Sequence, residues 1–501
     1  MTEPLLLDGS GLSIEDVRSV ARDGRQVAIA SAAIGRVQAA RQVIYELAAE
    51  NTPIYGFNRG VGINKDKVIT AERFEAYNRN LLLSHCGGVG PEASEEEVRA
   101  VMLARLNGLL LGHTGAQLPL VERYAEFLNR RIHPVLPLKG SVGAADITNL
   151  SHIGIAFIGE GEVRVDGASM AAEAALAAAG LEPLRLGPKD GLALVSSNAL
   201  SAGIGALVLC DALALLALAD AVYALSLEAL QGNVSPLDEA VHSVRPFPGQ
   251  LQSAARVRSA LAGSGLWDPR NSESLQDPLS FRDACQVHGA ARDAGHYTRA
   301  QLELHLNSSD DNPCVLAEQR RVLSCANYEP VVYVLGFEML GQALHHVSRS
   351  SCYRMLKLSA PEFTGLSRFL TPDAERSIGY SILQKTATAL DAEIRHLANP
   401  ASADYMSLSG DMEDHATNAP FVAAKTGEII DRLLYVLAVE ALHAAQAIDL
   451  RQGIRLGSGT AALYARVRSV VPFLAEDRNV SLDVERVYTV FKAELGETIQ
   501  S

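Results

Sequence analysis

Hydrophobic positions along this chain recur at helical spacing far more than with the alternation of a strand. Ile430, Leu433, Leu434, Leu437, Ala441 and Ala444 follow one another at three- and four-residue steps, which lays an apolar stripe along one helix face. The most apolar stretch, Ala199 to Leu230, is long enough to cross a bilayer. It carries Asp211 and Asp220, however, which points to a buried bundle helix. Helix starts are marked by Ser13-Ile14-Glu15-Asp16, with Gly24 to close the turn, and by Ser94-Glu95-Glu96-Glu97, whose helix runs toward Gly112. Loops rich in Gly, Pro and Asn fall at Tyr55 to Lys65, Pro134 to Ala145 and Leu186 to Gly191. No strand alternation dominates any region and no internal repeat is present. The pattern predicts a mainly α protein with a loop-bearing N-terminal region over 1–200. A long-helix bundle with C-terminal helices is expected over 201–501.

Composition changes this picture little. The 501 residues are 48% hydrophobic and only 5% aromatic, ample for a large helical core. A net charge of -14 argues against nucleic acid or an anionic membrane as partner. The six cysteines are scattered with no C-x-x-C pair, so neither a metal site nor a disulfide framework is expected. With no basic-then-apolar leader after Met1, a cytoplasmic protein with reduced thiols is the expectation.

The chemistry concentrates in short motifs. Lys139-Gly140-Ser141-Val142-Gly143-Ala144-Ala145-Asp146 is one, and Tyr55-Gly56-Phe57-Asn58-Arg59-Gly60-Val61-Gly62 is another. Asn80 to His85, Gln276 to Arg282, Asn307 to Pro313 and Ser409 to His415 follow in order. Together they resemble the histidine and aromatic amino-acid ammonia-lyases and aminomutases over nearly the whole chain. In that family the loop reads Gly-Ser-Val-Gly-Ala-Ser-Gly-Asp, and its Ala-Ser-Gly condenses into a methylidene-imidazolone electrophile (MIO). Here only Ala144 and Ala145 separate Gly143 from Asp146, so the dehydrating serine is missing and no MIO is expected. The loop's glycines and Asp146, suited to satisfying loop amides, are retained.

The resemblance implies roles residue by residue. Tyr55 matches the family's general base and Glu413 a residue that contacts the substrate amine. Arg282 matches the arginine that forks a substrate carboxylate, with a structural ion pair to one of the many acids as the lesser alternative. His85, in a Ser-His pair like that of the histidine-acting branch, is either a ring reader or a structural histidine. Ser196, Asn198, Asn312 and Tyr328 fall at positions expected to line the substrate. Arg59 could lower the Tyr55 phenol toward neutrality if the loop folds it back. Asp414 and His415 are expected to be structural.

Several departures cluster. Ser196-Ser197-Asn198 stands where the family has Asn-Gly-Thr, Leu279 where it has tyrosine, and Met412 where it has glutamine. Asn327-Tyr328-Glu329-Pro330 stands for Asn-Phe-His-Gly. Groups that touch the MIO and the leaving amine are lost together, while Tyr55 and Arg282 remain. The expectation is a MIO-independent lyase performing elimination, conjugate addition or isomerisation on a small carboxylate, amino-acid-like substrate. A non-catalytic binding homologue is the alternative, as is a conventional ammonia-lyase if Ala144 stands for a condensed tripeptide. The resemblance further implies a homotetramer with each site shared among three subunits.

Overall fold

The structure is a computed structural model and describes residues 3–268, 274–451 and 453–496. It is mainly α, as the periodicity predicts, and its described residues divide into two compact units. The first joins the chain up to Cys210 with Thr298–Leu335 and Pro400–Ala424; the second takes Asp211–Tyr297, Gly336–Asn399 and Lys425 onward.

In the first unit the predicted helix starts are realised. Ser13 caps Ile14–Ala21 by accepting from the Asp16 amide, and Asp16 answers by accepting from the Ser13 amide. Ser94 and Glu97 form the same reciprocal cap on Glu95–Leu110, whose residues from Val98 onward are buried. Gly112 follows in the left-handed region (φ +78°), where a Cβ would lie 2.7 Å from Arg36 Cβ. Four small sheets, which the alternation did not reveal, brace this unit. Leu5–Leu7 pairs in parallel with Val27–Ile29, and Val89–Glu92 runs antiparallel to Pro137–Lys139. Ile132–Pro134, Glu162–Val165 and Ala168–Ala171 form a three-stranded sheet, and Cys314–Leu316 pairs with Arg321–Leu323. Strands of three or four residues are too short to show a period-two pattern.

The second unit holds long helical segments. Every residue of the predicted 430–444 stripe is buried, and so are Val436, Ala438, Val439 and Leu442 between them. The helix is thus enclosed on more than one face. Asp220 explains how a charge sits in an apolar helix: it accepts from Ser253 Oγ (2.6 Å), His288 Nδ1 (2.8 Å) and Arg292 (2.5 Å). Glu440 is likewise held by Arg354 at 2.5 and 2.9 Å and by the Ser226 and Ser351 hydroxyls. Among the described residues two helices are long and apolar enough to cross a membrane; they include Ala199–Leu230 and Ala419–Arg451, and both are largely buried.

Candidate active site

The loop at 140–146 is tied down from three directions. Asp146 precedes the Ile147–Phe157 helix, and its amide donates to Ser197 O (2.6 Å). Its carboxylate accepts from Ser141 Oγ (2.7 Å) and from both the amide and hydroxyl of Ser201 (3.0 Å each). Asp146 therefore gathers hydroxyls and a helix amide rather than the loop amides expected of it, because it is fully buried beneath the loop. Burial pushes its carboxyl up to about 6, against those three donors. Gly143 N donates to Ser141 Oγ (3.0 Å), and Gly143 O accepts from Asn198 Nδ2 (3.1 Å). Val142 O accepts from the amides of Thr417 (3.1 Å) and Asn418 (2.7 Å). Gly143 has no room for a side chain: a Cβ would lie 2.7 Å from Ala419 N and from Thr417 Oγ1. Ala145 occupies the left-handed region at φ +57°, a conformation that costs a non-glycine residue about 1 kcal/mol or more.

Beneath the loop, Ser197 and Asn198 rest on a buried ionic floor. Asp310 accepts from Ser197 Oγ (2.6 Å), the Asn198 amide (2.8 Å) and Arg105 (3.1 Å). Lys189, fully buried and at φ +70°, donates to Asp311 (3.0 Å). Burial lowers the Lys189 pKa against the pull of Asp311. Ser196 is buried at the end of the Asp190–Val195 helix, its amide bonded to Leu192 O (2.9 Å).

A cavity of about 430 Å³ opens above the loop. Val142, Ala144, Met406, Leu408 and Ala416 give it an apolar lining; Asp404, Tyr405, Glu413 and His415 give it its polar groups. Glu413 is steadied by Ser409 Oγ (2.8 Å). Tyr55 and Tyr328 lie within electrostatic reach of Glu413. Both phenols are raised above the ordinary value. Burial is the main cause for each; Tyr328, Glu413 and Tyr77 add to it at Tyr55, where the Gly62 N–H (2.7 Å) opposes it. The expected help from Arg59 does not arrive: its guanidinium donates to Asn58 O (3.1 Å), and the phenol rises instead of falling.

The other predicted residues are placed as follows. Asn312 Oδ1 accepts from the Cys325 amide (3.0 Å) and so braces the hairpin that leads to Tyr328. His85 ends the Phe74–His85 helix, with Nδ1 2.7 Å from Leu81 O and 3.0 Å from Ser84 Oγ. Arg282 is half-buried at the end of Leu279–Arg282 in the second unit, where it acts on Asp277 and Asp283. His415, expected to be structural, lines the cavity with Tyr405. Tyr405, Asp404 and Met406 escaped the sequence reading because they sit in a loop without periodicity. Glu329 stood out only as a departure, and its partner is His415 (3.1 Å).

Comparison with known proteins agrees with this architecture. The family model for aromatic amino acid lyases matches residues 12–469. A histidine ammonia-lyase of Alkaliphilus oremlandii is 36% identical over 99% of this chain and 98% of its own length; one from Myxococcus xanthus is 38% identical over 97% and 96%. The crystal structure of the ergothioneine-degrading enzyme ergothionase from Treponema denticola, in complex with desmethyl-ergothioneine sulfonic acid, superposes with a TM-score of 0.97. It is 48% identical over 99% of this chain and 100% of that one. Tyrosine aminomutase from Streptomyces globisporus superposes at 0.94, with 33% identity over 98% and 97%. Members of this family use a MIO group formed from their own chain. With a family model covering most of its length and relatives aligned end to end, the chain belongs to the aromatic amino acid lyases.

Proposed function

We propose that this protein is a lyase that eliminates a tertiary amine from a small quaternary-ammonium carboxylate of the ergothioneine kind, without a MIO group. The loop at 143–146 carries the reading. In our view its residues do not fit that group, because neither Ala144 nor Ala145 has a hydroxyl to lose as water. Ser141, the hydroxyl nearby, is engaged by Asp146 and Gly143. The similarity to an ergothioneine-degrading enzyme supports the choice of substrate.

The chemistry is consistent with that loop. A quaternary nitrogen has no lone pair with which to attack an electrophile, and it already bears the charge that leaving requires. A base takes the proton from the carbon beside the ring, that electron pair forms the carbon–carbon double bond, and the C–N pair departs with neutral trimethylamine. Tyr55 is our candidate base, with Glu413 opposite the cationic group. Ser196 and Asn198 shape the loop beneath, while Tyr328 and His85 border the substrate. Arg282 is assigned to the carboxylate in a homotetramer whose sites are shared between subunits. We place the enzyme in the cytoplasm.

The test is to incubate purified protein with ergothioneine and, separately, histidine, following trimethylamine, ammonia and ultraviolet absorbance of the conjugated acid. Trimethylamine and double bond should appear in equal amounts, with no ammonia from histidine. The intact mass should equal the sum of the encoded residues. Ammonia from histidine with a mass short by two waters would overturn the reading, and inertness toward both substrates would move it to a binding protein.

A further inference from the structure

Glu329 pairs with His415, and His415 meets Tyr405 in the cavity wall. Glu329 Oε1 accepts from the Val331 amide (3.0 Å), which fixes the carboxylate and leaves Oε2 for His415 Nε2 at 3.1 Å. Tyr405 Oη lies 3.5 Å from His415 Nδ1. The two rings meet edge to face, with centroids 5.5 Å apart at 71°. Tyr405 and His415 both line the cavity, so the two rings form part of its wall.

Around that phenol the cavity wall is made of methyl, methylene and thioether groups from Val142, Ala144, Met406, Leu408 and Ala416. Asp404 and Glu413 supply negative charge. A primary ammonium entering such a wall gives up strong hydration and finds acceptors at the carboxylates and the Tyr405 oxygen but none along the apolar lining. A quaternary ammonium is weakly hydrated, presents methyl groups to the apolar lining, and is attracted to carboxylates and aromatic rings without hydrogen bonding. We propose that Tyr405, positioned by His415 and Glu329, is a specificity-determining residue that selects a quaternary ammonium group. This rests on the elimination reading above for its role in turnover, though binding can be tested without turnover.

The probe is tetramethylammonium chloride, its binding to the full-length protein read by saturation-transfer NMR, with ammonium chloride as competitor. Tetramethylammonium should bind and resist displacement by a tenfold excess of ammonium. Tyr405→Leu should weaken it about tenfold, the worth of a desolvated cation–ring contact, and Tyr405→Phe by less, since the ring remains. Glu329→Gln separates positioning from packing. The Val331 amide holds the carbonyl of the new side chain, so its NH₂ faces His415 Nε2. That removes the charge paired with His415, and with it the support that His415 gives the Tyr405 hydroxyl. Affinity should fall several-fold in the parent and not at all in a Tyr405→Phe background. Unchanged affinity in both Tyr405 variants, or an equal Glu329→Gln loss in either background, would overturn the assignment. Should Tyr405→Leu fail to fold, Tyr405→Phe and Glu329→Gln decide the matter. A parent that binds tetramethylammonium but leaves ergothioneine intact would refute the elimination and keep the cation wall; full turnover in the Tyr405 variants would do the reverse.

Discussion

If Tyr55 is the base, its environment dictates an unusual pH profile. An ordinary phenol titrates near 10. Burial and the neighbouring Glu413, Tyr328 and Tyr77 raise Tyr55 above that, and the Gly62 N–H only partly opposes them. At pH 7 fewer than about one site in a thousand then carries phenolate. The kcat/KM of the parent should therefore climb about tenfold per pH unit from 7 to 9, with no plateau below about pH 10. Tyr55→Phe removes the acceptor and should cut turnover about 100-fold or more, abolishing the climb. The Gly62 amide then loses its 2.7 Å partner, a local cost of roughly 1 kcal/mol that leaves the fold intact. The assay is a pH–rate profile of both proteins from 6 to 10.5, following the conjugated product. A parent profile that is flat below pH 8, or a Tyr55→Phe variant that keeps both rate and slope, would refute the assignment.

Other expectations can be checked alongside. Arg282→Lys keeps the charge but loses the planar fork, so substrate affinity should fall by roughly 1.5–3 kcal/mol; an unchanged dissociation constant removes Arg282 from the site. Asp146, raised from 3.8 to about 6, binds a proton more tightly folded than unfolded, so its contribution to stability is complete below pH 4 and lost as pH rises through 6. Denaturant titrations should show the parent losing about 3 kcal/mol relative to Asp146→Asn between pH 4 and 7, whereas a constant difference would contradict the raised value. Rewriting Ala144-Ala145 as Ala-Ser-Gly should yield little or no ammonia from histidine, phenylalanine or tyrosine, because Ser196 and Leu279 still lack the family's asparagine and phenol. Brisk ammonia release would show those departures to be incidental.

What the sequence made legible was local or motif-borne. Ser13 and Ser94 announced their helices because a reciprocal cap needs only residues three apart. Tyr55 and Glu413, far apart in the chain, were found through motifs, and the structure brings them within electrostatic reach. Arg59 misled because closeness in sequence is not closeness of charge: its guanidinium turns to the Asn58 carbonyl. The link from Glu329 to His415 and Tyr405 was invisible, since it depends on 400–424 returning to the first unit. Lys189 gave no warning either, as neither its left-handed backbone nor its pairing with Asp311, more than a hundred residues on, can be read from local sequence.

The ionic floor formed by Arg105, Lys189, Asp310 and Asp311 has a bearing on how such a site can change. Two basic side chains pair with two acidic ones there, so the charges of the floor largely offset one another. It anchors the Ser197–Asn198 turn through backbone and hydroxyl contacts, and those are indifferent to what the loop above carries. Because the floor holds that turn without contacts from residues 144 and 145, those two positions can be rewritten on a support that does not have to be rebuilt.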